Sequence, residues 1–197
     1  MKTILRGFFG ILAVLALAGC PETNVGPDFG YKFLVLRPSE WNGIWKASSG
    51  DDAVRFEVSD AKNGQITIIE APDSKGKRAA GDMLMTLRLA GTKKGDDLFF
   101  ATILDKSDTT QALTPYLVHR LGNDSFVIWT INNEAVAKAI KSGKLKGKVK
   151  PEKGGAHSRI DSDPANYRVL VQPGFWNWMD PTILQRPARP ARAAAGS

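Results

Sequence analysis

The chain of 197 residues predicts a mainly β fold, a curled antiparallel meander of about seven strands that makes a barrel or half-barrel, with one or two short α-helices. Three observations carry this. Apolar residues recur with a period of two through the middle of the chain, the spacing of a half-buried strand. Short segments with Gly, Asn and Asp separate the runs at hairpin distances. A meander of that many sequential strands must curl to hide its edges.

The elements follow in order. Ile44 to Ala47 opens the sheet. Val54, Phe56 and Val58 alternate with Arg55, Glu57 and Ser59, Lys62-Asn63-Gly64 makes a turn, and Ile66 and Ile68 resume the pattern, so 53–59 and 65–70 read as a hairpin. Met83, Met85, Leu87 and Leu89 form the next run. Leu98 to Leu104 is apolar on both faces, as in a strand inside a sheet or under a helix. Strands at 115–121 and 125–131 flank Gly122-Asn123-Asp124.

A helix then interrupts the pattern. Asn132 or Asn133 caps it, Val136, Ala139 and Ile140 form its apolar stripe, and Gly143 stops it. Lys144 to Gly155 reads as a polar loop, and Asp163-Pro164 starts a second short helix, narrowly favoured over an eighth strand at 167–171. Phe175 to Met179 is too apolar for a tail and is expected to pack on the domain.

The chain begins MKTILRGFFGILAVLALAGC, with basic Lys2 and Arg6, an apolar run from Phe8 to Ala18 and small residues after it. That is the layout of a secretory leader. Leu17-Ala18-Gly19-Cys20 resembles the lipobox of bacterial lipoproteins, and the whole is similar to small, uncharacterised proteobacterial lipoproteins. The resemblance implies cleavage before Cys20, a diacylglyceryl group on its sulfur and an acyl group, such as palmitate, on its amino terminus. Cys20 is the chain's single cysteine, which also excludes an internal disulfide. Pro21 and Glu22 lack the Asp associated with inner-membrane retention, so the resemblance implies the outer membrane, facing the periplasm. The expected organisation is a leader at 1–19, a lipidated tether at 20–30, one domain at 31–184 and a disordered basic tail at 185–197.

Charge adds little. The formal net charge of +7 loses Lys2 and Arg6 with the leader, and Arg186, Arg189 and Arg192 with the tail, which leaves +2. An exported chain of that balance is not expected to bind nucleic acid.

Trp41-Asn42-Gly43-Ile44-Trp45 precedes and enters the first strand. Its Gly43-x-Trp45 resembles the first region of lipocalins and related calycin barrels, in which the Trp closes one end of the barrel. The Thr-Asp-Tyr stretch of the second region is missing, and no Arg matches the third. Trp41, Gly43, Trp45 and Trp129 are therefore candidates for closing the barrel or lining a ligand site. Glycine at 43 suits a close backbone approach.

Seven lysines, 138, 141, 144, 146, 148, 150 and 153, cluster late in the chain. Lys144, Lys146, Lys148 and Lys150, with Phe175, Trp176 and Trp178, form a candidate interaction surface. A solvated loop is the simpler account of the lysines, and cover for the sheet edge an equal account of the aromatics. His119 and His157 have no neighbours at metal-ligand spacing, so no metal site is expected. His119 alternates with Leu117 and Leu121 and is expected to point inward. Asp51-Asp52 and Asp96-Asp97 read as turn ends. No catalytic motif or cofactor fingerprint is present, and the chain is not expected to be an enzyme. The expected function is a membrane-anchored binding module for a small apolar ligand or lipid. The alternative is an assembly partner in a cell-envelope complex.

Overall fold

The computed structural model describes residues 22–48, 53–71, 83–95, 97–104, 113–152 and 155–187. Cys20 and the rest of the lipobox, Asp51-Asp52, Asp96, Lys153 and residues 188–197 lie outside the described residues.

Eight antiparallel strands form a closed barrel. They are β2 (Gly43–Ala47), β3 (Ala53–Asp60), β4 (Gln65–Glu70), β5 (Met83–Gly91), β6 (Leu98–Leu104), β7 (Pro115–Arg120), β8 (Ser125–Thr130) and β11 (Thr182–Gln185). Strands β2 to β8 pair in sequential order, as the meander predicts. Closure depends on β11, which pairs with both β8 and β2 and leaves no free edge. The alternating positions point inward as expected: Val54, Phe56, Ile66, Ile68, Leu87, Leu89, Phe99 and Ala101 share one buried cluster.

A second layer packs on the outside of β6 to β8. It contains β1 (Glu22–Val25), β10 (Gly155–Ile160) and β9 (Gly147–Glu152) as a three-stranded sheet, with α2 (Asn133–Lys141) and α3 (Pro164–Leu170). Phe100 and Leu117 point outward from the barrel into this layer and meet Val25, Phe29, Val136, Tyr167, Leu170 and Trp176. The two-faced apolarity of Leu98–Leu104 thus reflects two cores that share one strand.

Helix α2 has the expected cap and stop. The Asn132 side chain accepts from the Ala135 N–H at 3.0 Å, and Gly143 takes φ +74° just past the end. Helix α3 is the favoured helix, with Asp163 accepting from the Ala165 N–H at 2.7 Å. Its Asn166, 1% exposed, bonds both the N–H and the C=O of Lys146 and so ties the helix to the start of β9.

Four expectations need correction. Residues 22–29 are not a tether: β1 pairs in parallel with β10, and Phe29 is buried against Phe100 and Tyr167. The stretch 144–155 is not a loop throughout, because Gly147–Glu152 pairs with β10 in an antiparallel ladder. Alternation of Lys148 and Lys150 with Gly147 and Val149 is a strand period that the glycines and charges obscured. The tail does not start at 185, since Gln185 pairs with Lys46 and Arg186 Nη2 donates to the Glu40 carbonyl at 2.6 Å. His119 faces outward, half-buried, because the inward positions of β7 are Tyr116 and Val118.

The helical turn α1 (Pro38–Trp41) sits across one barrel end, held by charge. Glu40 Oε2 accepts from Arg120 Nη1 at 2.8 Å and Oε1 from Arg37 at 3.2 Å, which holds the carboxyl below its ordinary 4.5. A carboxyl lowered by folding stabilises the native state above its unfolded pKa, and that contribution is lost as pH falls through the lowered value. Thermal melts from about pH 6 down to about pH 3 should therefore show a steeper acid-side loss in the wild type than in Glu40→Gln. Equal acid limbs would remove this interaction from the account.

Candidate functional site

The barrel has two unlike ends. At the closed end Trp41 stacks on Phe126, with centroids 4.8 Å apart and planes 12° apart. Trp45 lies 4.5 Å from Phe126 and 5.7 Å from Phe56, and its indole N–H donates to the Trp41 carbonyl at 3.1 Å. Both indoles are buried, Trp45 completely. Gly43 precedes this plug at φ +138°, a conformation that L side chains rarely adopt. A Cβ there would meet nothing within 4 Å, so backbone conformation, rather than close approach, accounts for the glycine.

Arg186 completes the plug. Its guanidinium lies 4.6 Å from the Trp45 ring centroid, and its Nη2 bonds the chain at Glu40. Sequence reasoning assigned this arginine to the tail. The signal that it belongs to the domain is the short Thr182–Gln185 strand just before it, too brief to stand out from the adjoining prolines.

Among the described residues the opposite end is apolar and open. Phe56, Ile68, Leu87, Ala101, Val118 and Leu184 line a cavity of about 80 Å³, and strand-end residues Ala47, Met85, Ile103, Tyr116, Thr130 and Thr182 surround its entrance. The connections at this end, residues 49–52, 72–82 and 105–112, lie outside the described residues.

Polar groups at this cavity are few. Thr130 Oγ1 accepts from Asn177 Nδ2 at 2.8 Å. The hydroxyl of Tyr116 is buried and has no hydrogen-bond partner among the described residues. Burial, and to a lesser degree the charge of Glu22, pushes its pKa up to about 12, so the hydroxyl keeps its proton.

Other sequence candidates are dispersed. Trp129 is outside the barrel, with Trp178 edge-on at 4.6 Å, and neither closes nor lines it. Phe175 and Trp176 are core residues of the second layer, where the Trp176 indole N–H donates to the Leu170 carbonyl at 2.5 Å. Of this stretch Asn177, Trp178 and Met179 reach the surface.

The lysines do not form one patch. Lys144 Nζ lies 5.3 Å from the Phe175 ring centroid, and Lys146 pairs with Asp163 at 2.7 Å. Lys148 and Lys150 lie on β9, opposite Arg159 and His157. Strand β9 is a sheet edge, and lysines with Pro151 are the residues that discourage further strand pairing there. A shallow groove of about 380 Å³ between α2 and β10 is rimmed by Glu134, Lys138 and Lys141. Among the described residues, no three His, Cys, Asp or Glu converge on a point that could hold a metal ion.

No family model, curated protein or solved structure matches the chain.

Proposed function

We propose that this chain is a lipid-anchored protein of the bacterial cell envelope that holds a small apolar ligand, or one end of an acyl chain, in the open half of its barrel. The observation that carries the reading is the asymmetry of the barrel: an aromatic plug at one end and an apolar, open cavity at the other. The empty space of about 80 Å³ is below the ~300–1,000 Å³ of an ordinary ligand pocket. A ligand therefore enters by displacing side chains at the mouth, with unbranched, half-buried Met85 the easiest to move.

The position of β1 supports a role at a membrane. Its first residue follows Cys20 by two positions, which spans at most about 7 Å. Val25, at its other end, is bridged to Leu113 beside the start of β7, at the open end of the barrel. Acyl chains on Cys20 would thus lie within five residues of chain from the mouth, at most about 18 Å. The lining of the mouth is apolar apart from a few hydroxyls. Among the described residues it offers a protonated tyrosine and two threonines, with no nucleophile paired to a base. The alternative of an assembly partner has Trp178 and Met179 in its favour, against the roughly 20–30 residues per side of a standard interface.

Native mass spectrometry of the detergent-extracted protein tests the reading. The wild type should carry a small apolar mass that Ala101→Leu, which fills the cavity floor, has lost while melting within about 3 °C of the wild type. A wild type that emerges bare, and takes up no alkane or ester in excess, would overturn it.

A further inference from the structure

Resting on the barrel as a ligand site, the geometry points to a more specific ligand: an acyl chain headed by an uncharged carbonyl, an ester or amide, whose oxygen accepts a hydrogen bond from Tyr116. Tyr116 is 7% exposed, it stands at the cavity entrance on the second residue of β7, and its hydroxyl has no partner among the described residues. A buried hydroxyl without a partner is a cost that folding does not reward, and one on a residue that lines a ligand cavity gains a partner when an entering ligand displaces the side chains that cover it. Apart from Thr130 and Thr182 at the rim the remaining walls are apolar, so the cavity orients a molecule with its polar point at the rim and an otherwise hydrocarbon body.

Depth assigns the parts. Tyr116 pairs in register with Thr130, the last residue of β8, so the polar point lies at the rim. Phe56, Leu87 and Ala101 lie in the apolar wall that receives the tail. The tyrosine remains protonated, so it donates and the ligand must accept. An anionic head is disfavoured, because the described lining of the cavity holds no cation to pair with it.

The test uses methyl octanoate, n-decane and octanoate at pH 8 as probes on the purified mature protein, with Tyr116→Phe beside the wild type. The wild type should bind methyl octanoate more tightly than either of the others. Tyr116→Phe should weaken methyl octanoate by about three- to tenfold, the worth of one hydrogen bond, and leave n-decane unchanged. The same substitution should raise the melting temperature of the ligand-free protein by about 3 °C, because it removes the unsatisfied hydroxyl. Affinity and stability then move in opposite directions, which a purely structural tyrosine would not produce. Equal weakening of ester and alkane, or a lower melting temperature, would show that the hydroxyl serves the fold and overturn the inference alone. Tighter binding of octanoate than of the ester would overturn the uncharged head. A wild type that binds none of the three would overturn the barrel reading with it.

Discussion

Trp45→Ala is expected to cost about 4 kcal/mol of folding stability, read as a fall in the urea midpoint with little change in slope. Trp45 is completely buried, so its removal loses the transfer energy of a large aromatic and leaves a cavity among Trp41, Phe56 and Phe126. The surroundings cannot collapse easily, because they belong to a closed ring of strands. Two further contacts go with the ring: the indole bond to the Trp41 carbonyl and the Arg186 guanidinium on its face. Domains are stable by about 5–15 kcal/mol, so this one change removes a large share. Trp178→Ala is the control, since that indole is 37% exposed and packs on Trp129 alone among the aromatic contacts. If the two substitutions shift the midpoint equally, the plug is not the stability centre described here.

Cys20→Ser is expected to abolish membrane attachment. Serine preserves the size of the side chain but removes the thiolate, the nucleophile that transfer of the diacylglyceryl group to sulfur requires. One acyl chain holds a protein only marginally, at about 0.8 kcal/mol per buried methylene, and two or three chains make a lasting anchor. Incorporation of labelled palmitate should fall to background, precursor should accumulate, and the protein should leave the membrane fraction. The wild type should show the same precursor when signal peptidase II is blocked by globomycin. Unlabelled wild-type protein, or identical fractionation of the two, would overturn the anchor and with it the placement of the barrel mouth near a membrane.

Strands β3 and β4 were legible because the inward face reads directly as alternation. Val54-x-Phe56-x-Val58 and Ile66-x-Ile68 show the face that folding buries. The hairpin register followed from short turns, such as 61–64, that leave the chain little choice. The second layer was much less legible. Strand β9 carries three charged residues, Lys148, Lys150 and Glu152, beside Pro151, since it is an edge and one face is wet. Strand β1 is four residues long and pairs with a segment more than 130 residues away, and no local pattern encodes that partner. The inward placement of His119 failed for a related reason. On β7 both faces are apolar, so alternation cannot say which one is the barrel interior.

The candidate site divides in the same way. Gly43-x-Trp45 pointed to a closed barrel end through its resemblance to the first lipocalin region, and the positive φ of Gly43 is the reason for the glycine that the structure adds. Tyr116 was missed altogether. Its importance is that its hydroxyl is buried and unpartnered at a cavity, which is a property of the strands around it.

Local chemistry therefore determined the β class, the caps of both longer helices and the tryptophan plug, since each depends on residues within a few positions of one another. Tertiary structure alone decided that the sheet closes through Thr182–Gln185, that β1 and the lysine strand build a second layer, and that a tyrosine at the cavity entrance keeps a buried hydroxyl without a partner among the described residues. The physical reason is range. Side-chain alternation and capping are written in neighbouring residues, whereas closure, edge pairing and hydrogen-bond satisfaction depend on segments that meet only when the chain has folded.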